Sequence, residues 1–182
     1  MTANQEQKMT THIVYQGPVT VLGARNASTL IIDAYRKGTQ ELTLSIASGG
    51  GDVTAGMGLY NFIRAMPITI NTHVIGMCGS IAATVLLAGE RRTSSSASLF
   101  TLHASSYVDG PRAGQVAEST QIIALPFRQR ANWTDEQVSR FFSSALEQSF
   151  LPQHAQELGM IHEVVDISFA QGDEIMTVAI PT

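Results

Sequence analysis

Polar and apolar residues alternate over Glu41–Ala47, with Leu42, Leu44 and Ile46 on one side, so this stretch predicts a strand. Ile13–Leu22 also reads as extended, broken by Gly17-Pro18 into two short strands. Between these stretches Leu30, Ile31 and Ala34 recur at helical spacing. Asn26 can cap a helix over Ala27–Lys37 that ends at Gly38. Ser48–Asp52 is a glycine turn, and a helix over Val53–Ala65 follows, stopping before Pro67. Ile68–Ile75 predicts the next strand, Gly76–Gly79 a turn, and Ser80–Leu87 a helix of small residues. Leu99–His103 predicts another strand, with Phe100 and Leu102 facing one way and Thr101 and His103 the other. Gly114–Arg130 is mostly helical, with Pro126 forcing a kink or a new turn. Thr134-Asp135-Glu136-Gln137 is a capping box for a helix reaching about Glu147. Pro152 and Gly159 bracket a short helix, and Val164–Ile167 and Met176–Ile180 are late strands. Strand and helix alternate with no linker or repeat, which predicts one α/β domain with parallel pairing over residues 1–182.

Composition narrows the class. Only 14% of the 182 residues are charged, against roughly 25% in an average soluble domain. Neutral polar residues fill the difference, and the 44% hydrophobic share excludes a disordered chain. A low charge suits a surface covered by copies of the same chain. A net charge of −4 with two lysines, Lys8 and Lys37, argues against nucleic acid as a partner. The single cysteine, Cys78, excludes an intrachain disulfide and fits a reducing compartment. The first 11 residues read as a flexible segment without the apolar core of a signal peptide. No apolar run reaches the roughly 18–20 residues that span a bilayer, and a cytoplasmic protein without a membrane partner is expected.

Two turns share one geometry: a strand, glycines, then a helix of small residues. Ser48–Asp52 lacks the third glycine of a dinucleotide fingerprint, since Thr54 holds that place, and Asp52 reads as an N-cap. Gly76–Ser80 places a serine at a helix start. That serine is either a cap or a nucleophile, and a nucleophile needs a base such as His103, oriented in turn by a third group. His73, His154 and His162 show no metal-ligand spacing. Met57, Tyr60, Phe62 and Met66 read as core or subunit contacts, Cys78 as a buried packing residue, and Arg91-Arg92 as a solvated turn.

Three blocks in order resemble the proteolytic subunit family of the Clp protease, ClpP. Leu44–Met57 is similar to the family's Asn-Ser-Pro-Gly-Gly turn and its Thr-Ala-Gly-Met helix. Gly76–Gly89 is similar to its Gly-x-Ala-Ala-Ser nucleophile block, and Leu99–His103 to the strand that carries the catalytic histidine. A weaker likeness runs over Glu147–Gly159, and the whole covers about Ile13 to Val165. The resemblance implies a ClpP/crotonase-type superhelix of β-β-α units with a protruding helix for ring assembly. It implies Ser80 as nucleophile, His103 as general base, Glu147 as the acid, and the N–H groups of Gly51 and Ile81 as oxyanion donors. A one-residue slip would bring Gln148 to the acid position, and Asp166 and Asp173 are fallback acids.

The sequence also departs from the family. Gly49 stands for the family's proline, Asp52 for a small or apolar residue, and Cys78-Gly79 for two alanines. Ala104-Ser105 follows the histidine where the family has Gln-Pro. The expected function is a serine endopeptidase acting on unfolded polypeptide. It would work in heptameric rings stacked in pairs, with a Clp-family ATPase as possible partner and no metal or organic cofactor. The alternatives are a ring subunit that has lost its chemistry and a crotonase-type acyl-CoA enzyme. A membrane relative with a Ser–Lys pair fits badly, because Lys8 and Lys37 lie far from the serine block.

Overall fold

The computed structural model describes residues 10–180. The N-terminal segment expected to be flexible falls almost wholly outside them. Strand β1 (Thr11–Gln16) pairs in parallel with β2 (Glu41–Ser48), and β2 with β3 (Thr69–Gly79). Helices α1 (Val21–Arg36) and α2 (Val53–Ala65) make the crossovers between them. Helix α3 (Ile81–Leu86) leaves β3 directly. Strands β4 (Arg92–Ser94) and β5 (Leu99–Leu102) follow, then helices α4 (Ser119–Arg130) and α5 (Asp135–Phe142). Strand β6 (Gln148–Phe150), helix α6 (Pro152–Glu157), and strands β7 (Glu163–Val164) and β8 (Glu174–Thr177) complete the order.

The strands form one eight-stranded sheet with the path β6-β5-β3-β2-β1-β8, from which β4 and β7 branch. All pairings are parallel except β5 with β6, which is antiparallel. Leu42, Leu44, Ile46, Ile70 and Val74 are fully or nearly fully buried and join α1 and α2 in the core. The residues between them carry polar side chains to the other face. There the Thr93 hydroxyl lies 2.7 Å from Nδ1 of His73 and the Ser95 hydroxyl 3.0 Å from Nε2. Burial holds that ring neutral and lowers its pKa from 6.5 to about 4, against a smaller opposing pull from the Asp166 charge. The unfolded chain therefore takes up this proton first, and the fold loses stability as pH falls from about 6.5 to about 4. A melting temperature that stays level across that window would remove the claim.

Strand β3 has a register shift that matters for the site. Ile46 pairs with Val74, but Ser48 pairs with Cys78, so β3 spends four residues where β2 spends two. Before the shift, Thr72–Val74 pairs with β4, and after it, Met77–Gly79 pairs with β5. One strand thus changes neighbours and re-aims its end, as bulges do beside active sites.

Several elements differ from the sequence expectation. Helix α1 starts at Val21, six residues early, because Thr20 caps it through a 2.9 Å bond from the Gly23 N–H. Asn26 is no cap: its amide donates to the Ala179 carbonyl at 2.7 Å. The second half of the expected first strand is absent because the Gly17 and Val19 N–H groups bond Ala47 and Gly50 carbonyls instead. Helix α4 begins at Ser119 and runs through Pro126, whose ring is buried. Helix α5 keeps its capping box but stops at Phe142, well short of Glu147, where β6 takes over. Arg91-Arg92 is only half a solvated turn: Arg91 is exposed in a bend, but Arg92 opens β4 and is 4% exposed.

Candidate active site

Two strand ends and one turn build the site. Ser80 joins the end of β3 to α3 with φ 49° and ψ −125°, one of two non-glycine residues with positive φ among those described. Such a backbone is held only where surroundings over-determine it. Here the Ser80 N–H donates to the Thr101 carbonyl of β5 at 2.8 Å, and the Ser80 carbonyl accepts from Ala83 N–H at 3.1 Å. The Ser80 hydroxyl makes no capping bond to the helix. Gly76–Gly79, expected as a turn, is instead the end of β3, and the chain turns at Ser80, after which every residue of α3 is buried.

The glycine turn wraps beside this serine. Gly50 has φ +104°, and a Cβ there would sit 2.7 Å from the Ser80 Cβ. Gly51 has φ +148°, and a Cβ there would overlap the Val19 carbonyl. Val19 N–H donates to the Gly50 carbonyl and Asp52 N–H to the Val19 carbonyl, both at 2.8 Å. The segment that read as a second short strand therefore serves as a brace for the turn. The N–H groups of Gly51 and Ile81 donate to no group among the described residues. Asp52 caps α2 through its 2.7 Å bond from Ala55 N–H, so its carboxylate is tied to the helix.

His103 follows the last residue of β5 and is half-buried. Its Nδ1 lies 2.8 Å from the carbonyl oxygen of Ala104. A carbonyl only accepts, so the neutral ring carries its proton on Nδ1 and its lone pair on Nε2. Ser80 and His103 line one groove of about 360 Å³ with Gly51, Asp52, Thr54 and Ser105. They share it without a hydrogen bond between them, a separation common before substrate binds.

The candidate acids separate clearly. The β5–β6 register pairs Phe100 with Phe150, Thr101 with Ser149 and Leu102 with Gln148. The ladder ends there, and only its continuation by one residue would set Glu147 opposite His103. Glu147 is exposed, and its carboxylate has no hydrogen-bond or ion-pair partner among the described residues. Gln148 donates its amide to the Arg140 carbonyl at 2.8 Å. Asp166 accepts from Ser96 N–H at 2.8 Å, and Asp173 from Ala170 N–H at 2.8 Å and Thr10 N–H at 3.1 Å. Both fallback acids are thus engaged away from the groove. Backbone groups of Thr101 and Ala104 shape the site too, and no residue type signals them in advance. Among the described residues no three His, Cys, Asp or Glu side chains converge closely enough to hold a metal ion.

A family model described as Clp protease matches residues 4–168, most of the chain. The chain belongs to the Clp protease family. Among Clp relatives, the ATP-dependent Clp protease proteolytic subunit 2 of Corynebacterium diphtheriae is 27% identical over 135 residues, covering 70% of this chain and 68% of the relative. Proteolytic subunit 1 of Corynebacterium jeikeium is 28% identical over 138 residues, covering 70% and 71%. A solved ClpP1 mutant from Listeria monocytogenes shares the fold, with a TM-score of 0.75 at 19% identity over 86% of this chain and 91% of that one. The chain is therefore a Clp-type serine peptidase subunit on the ClpP fold. Neither the acyl-CoA reading nor the non-catalytic ring subunit is favoured by these matches. No helix among the described residues is long and apolar enough to cross a membrane.

Proposed function

We propose that Ser80 and His103 hydrolyse peptide bonds through an acyl-enzyme, with the N–H groups of Gly51 and Ile81 as the oxyanion site. One observation carries the reading: Ser80, His103 and Gly51 line the same groove, with the His103 lone pair on Nε2. The Ser80 hydroxyl proton passes to His103 Nε2 as Oγ bonds the substrate carbonyl carbon. The resulting oxyanion accepts from the two free N–H groups. His103 then protonates the leaving amine, and the C–N bond breaks. A water attacks the acyl-enzyme, giving its proton to Nε2, and collapse returns that proton to Ser80. Each oxyanion donor contributes about 100- to 1000-fold in kcat in related chemistry.

The substrate is unfolded polypeptide lying extended in the groove. The subunit assembles in rings of seven, stacked in pairs, and works in the cytoplasm with a Clp-family ATPase. Relatives named as subunits of an ATP-dependent protease support this assembly. The exposed apolar residues Val21 and Leu22 on α1 and Ile122 and Leu125 on α4 give it surfaces to cover.

The test is chemical. A fluorophosphonate incubated with the purified chain is expected to form one adduct, mapped by peptide mass spectrometry to Ser80. No adduct, or one on another serine, sinks the reading. Light scattering on the same sample is expected to show a mass near that of fourteen chains, and a stable monomer at micromolar concentration would refute the ring.

A further inference from the structure

We infer that the main-chain carbonyl of Ala104, and not the carboxylate of Glu147, is the group that orients His103. This rests on the reading of Ser80 and His103 as nucleophile and base. It is carried by the way the chain after β5 is held. Ala104 is fully buried, and its N–H donates to the Ser144 carbonyl at 2.8 Å. On the far side, the Ser105 carbonyl accepts from Ala117 N–H at 2.8 Å and from the Thr120 hydroxyl at 3.2 Å. The Ser105 hydroxyl meets the Ser119 hydroxyl at 3.0 Å. The peptide group joining Ala104 to Ser105 is thus fixed from both ends, and its carbonyl oxygen cannot drift from the imidazole.

The need is mutual. Among the described residues no backbone N–H donates to the Ala104 carbonyl, so His103 Nδ1–H is the donor that satisfies it. A buried carbonyl without a donor is costly, and the ring is held by that cost as well as by the bond. Glu147 stands differently. It faces His103 only by extension of the strand register, it is exposed, and it lies beyond the end of α5 in a stretch where Leu146 is 78% exposed. Glu147 is not among the residues lining the groove, and the carboxylate that is, Asp52, is tied to Ala55 N–H. A neutral carbonyl selects the Nδ1–H tautomer as well as a carboxylate does. It does less to stabilise the imidazolium that forms when Ser80 gives up its proton. The site is then a dyad with a main-chain third member, slower than a full triad but correctly poised.

Two changes to the full-length protein decide it. Glu147→Gln is expected to hold kcat/KM for a model peptide within about threefold and to leave its pH midpoint in place. If Glu147 were the orienting acid, the loss would approach the roughly 10⁴-fold seen when a triad aspartate becomes an amide. A loss beyond tenfold, or a midpoint moved by half a unit, overturns the inference. The second change replaces the Ala104–Ser105 peptide bond with an ester by protein semisynthesis. It weakens the carbonyl as an acceptor and removes only the Ser105 N–H, which donates to no group among the described residues. It is expected to lower kcat at least tenfold with KM held, and an unchanged kcat overturns the inference. Imidazole nitrogen NMR separates this failure from failure of the proposed function. Whether or not peptide is cleaved, His103 is expected to show the Nδ1–H tautomer in the parent and in Glu147→Gln, and a shifted tautomer in the ester. A tautomer that follows Glu147 instead counts against Ala104.

Discussion

Ser80→Ala is expected to leave the fold and assembly unchanged and to lower kcat for peptide hydrolysis by about 10⁶-fold, the loss seen when the nucleophile of such a site is removed. The two halves of this expectation have separate grounds. The Ser80 hydroxyl makes no capping bond to α3, so deleting it removes no structural contact. Alanine keeps the Cβ, so it also keeps the strain of φ 49°, and the melting temperature should barely move. Glycine at this position keeps neither. Ser80→Gly is expected to be equally inactive yet more stable by about 1 kcal/mol, since a strained backbone costs about 1–3 kcal/mol. Together the two variants separate chemistry from strain. Activity above about 1% of the parent in Ser80→Ala would remove Ser80 from the mechanism, and Ser80→Gly no more stable than Ser80→Ala would show that the turn stores no strain.

Arg92→Leu is expected to destabilise the fold by roughly 3 kcal/mol or more, a large part of the 5–15 kcal/mol that holds a typical domain together. Arg92 makes no ion pair with a carboxylate among the described residues. Its Nε donates to the Met160 carbonyl at 2.8 Å, and its Nη2 to Arg130 and Gly159 carbonyls at 3.0 and 3.3 Å. Its Nη1 reaches the Gly89 carbonyl at 3.4 Å. These acceptors are the last residue of α4 and residues just beyond the ends of α3 and α6, so one guanidinium ties together three helix exits. Burial, and then the nearby Arg130 charge, lower the Arg92 pKa to about 10, and it stays protonated at neutral pH. Leucine would leave several buried carbonyls without donors, at about 1–3 kcal/mol each. Lysine would keep the charge but not the fork, and should fall between. Urea unfolding is the measurement: the midpoint should drop with little change in slope. A midpoint at the parent value would show that water replaces the arginine at no cost.

The burial of Arg92 is not legible in its local sequence. An Arg-Arg pair beside glycine looks solvated because charge is rarely buried. What reverses this is a pocket of carbonyls, three of the four from residues 38 to 68 positions away, which leaves no local trace. The same holds for α1. Its cap, Thr20, lies inside a stretch whose pattern reads as extended, and Val19 just before it is bonded to Gly50 and Asp52 of the glycine turn, far along the chain. Glu147 was expected at a helix end because the capping box of α5 says where a helix begins and nothing about where it stops. Phe142 ends it, and Phe150 stacks on Phe100 at 5.8 Å across the new strand pair. By contrast, the Asp52 cap is legible because its partner, Ala55, lies three residues on, whereas Ser80 and His103 stand out only through the likeness of Gly76–Gly89 and Leu99–His103 to the family's blocks. The Ala104 carbonyl was unreadable in principle, since every residue has one.

Cys78 lies two residues before Ser80, fully buried between Ser48 and Phe100 in the sheet. Burial raises its thiol pKa far above the usual range, so it is inert while the core is closed. The only thiol of the protein is therefore an internal clock. A thiol reagent can modify it only when the end of β3 parts from its neighbours, and the rate of that modification counts how often the strand leading into Ser80 comes loose.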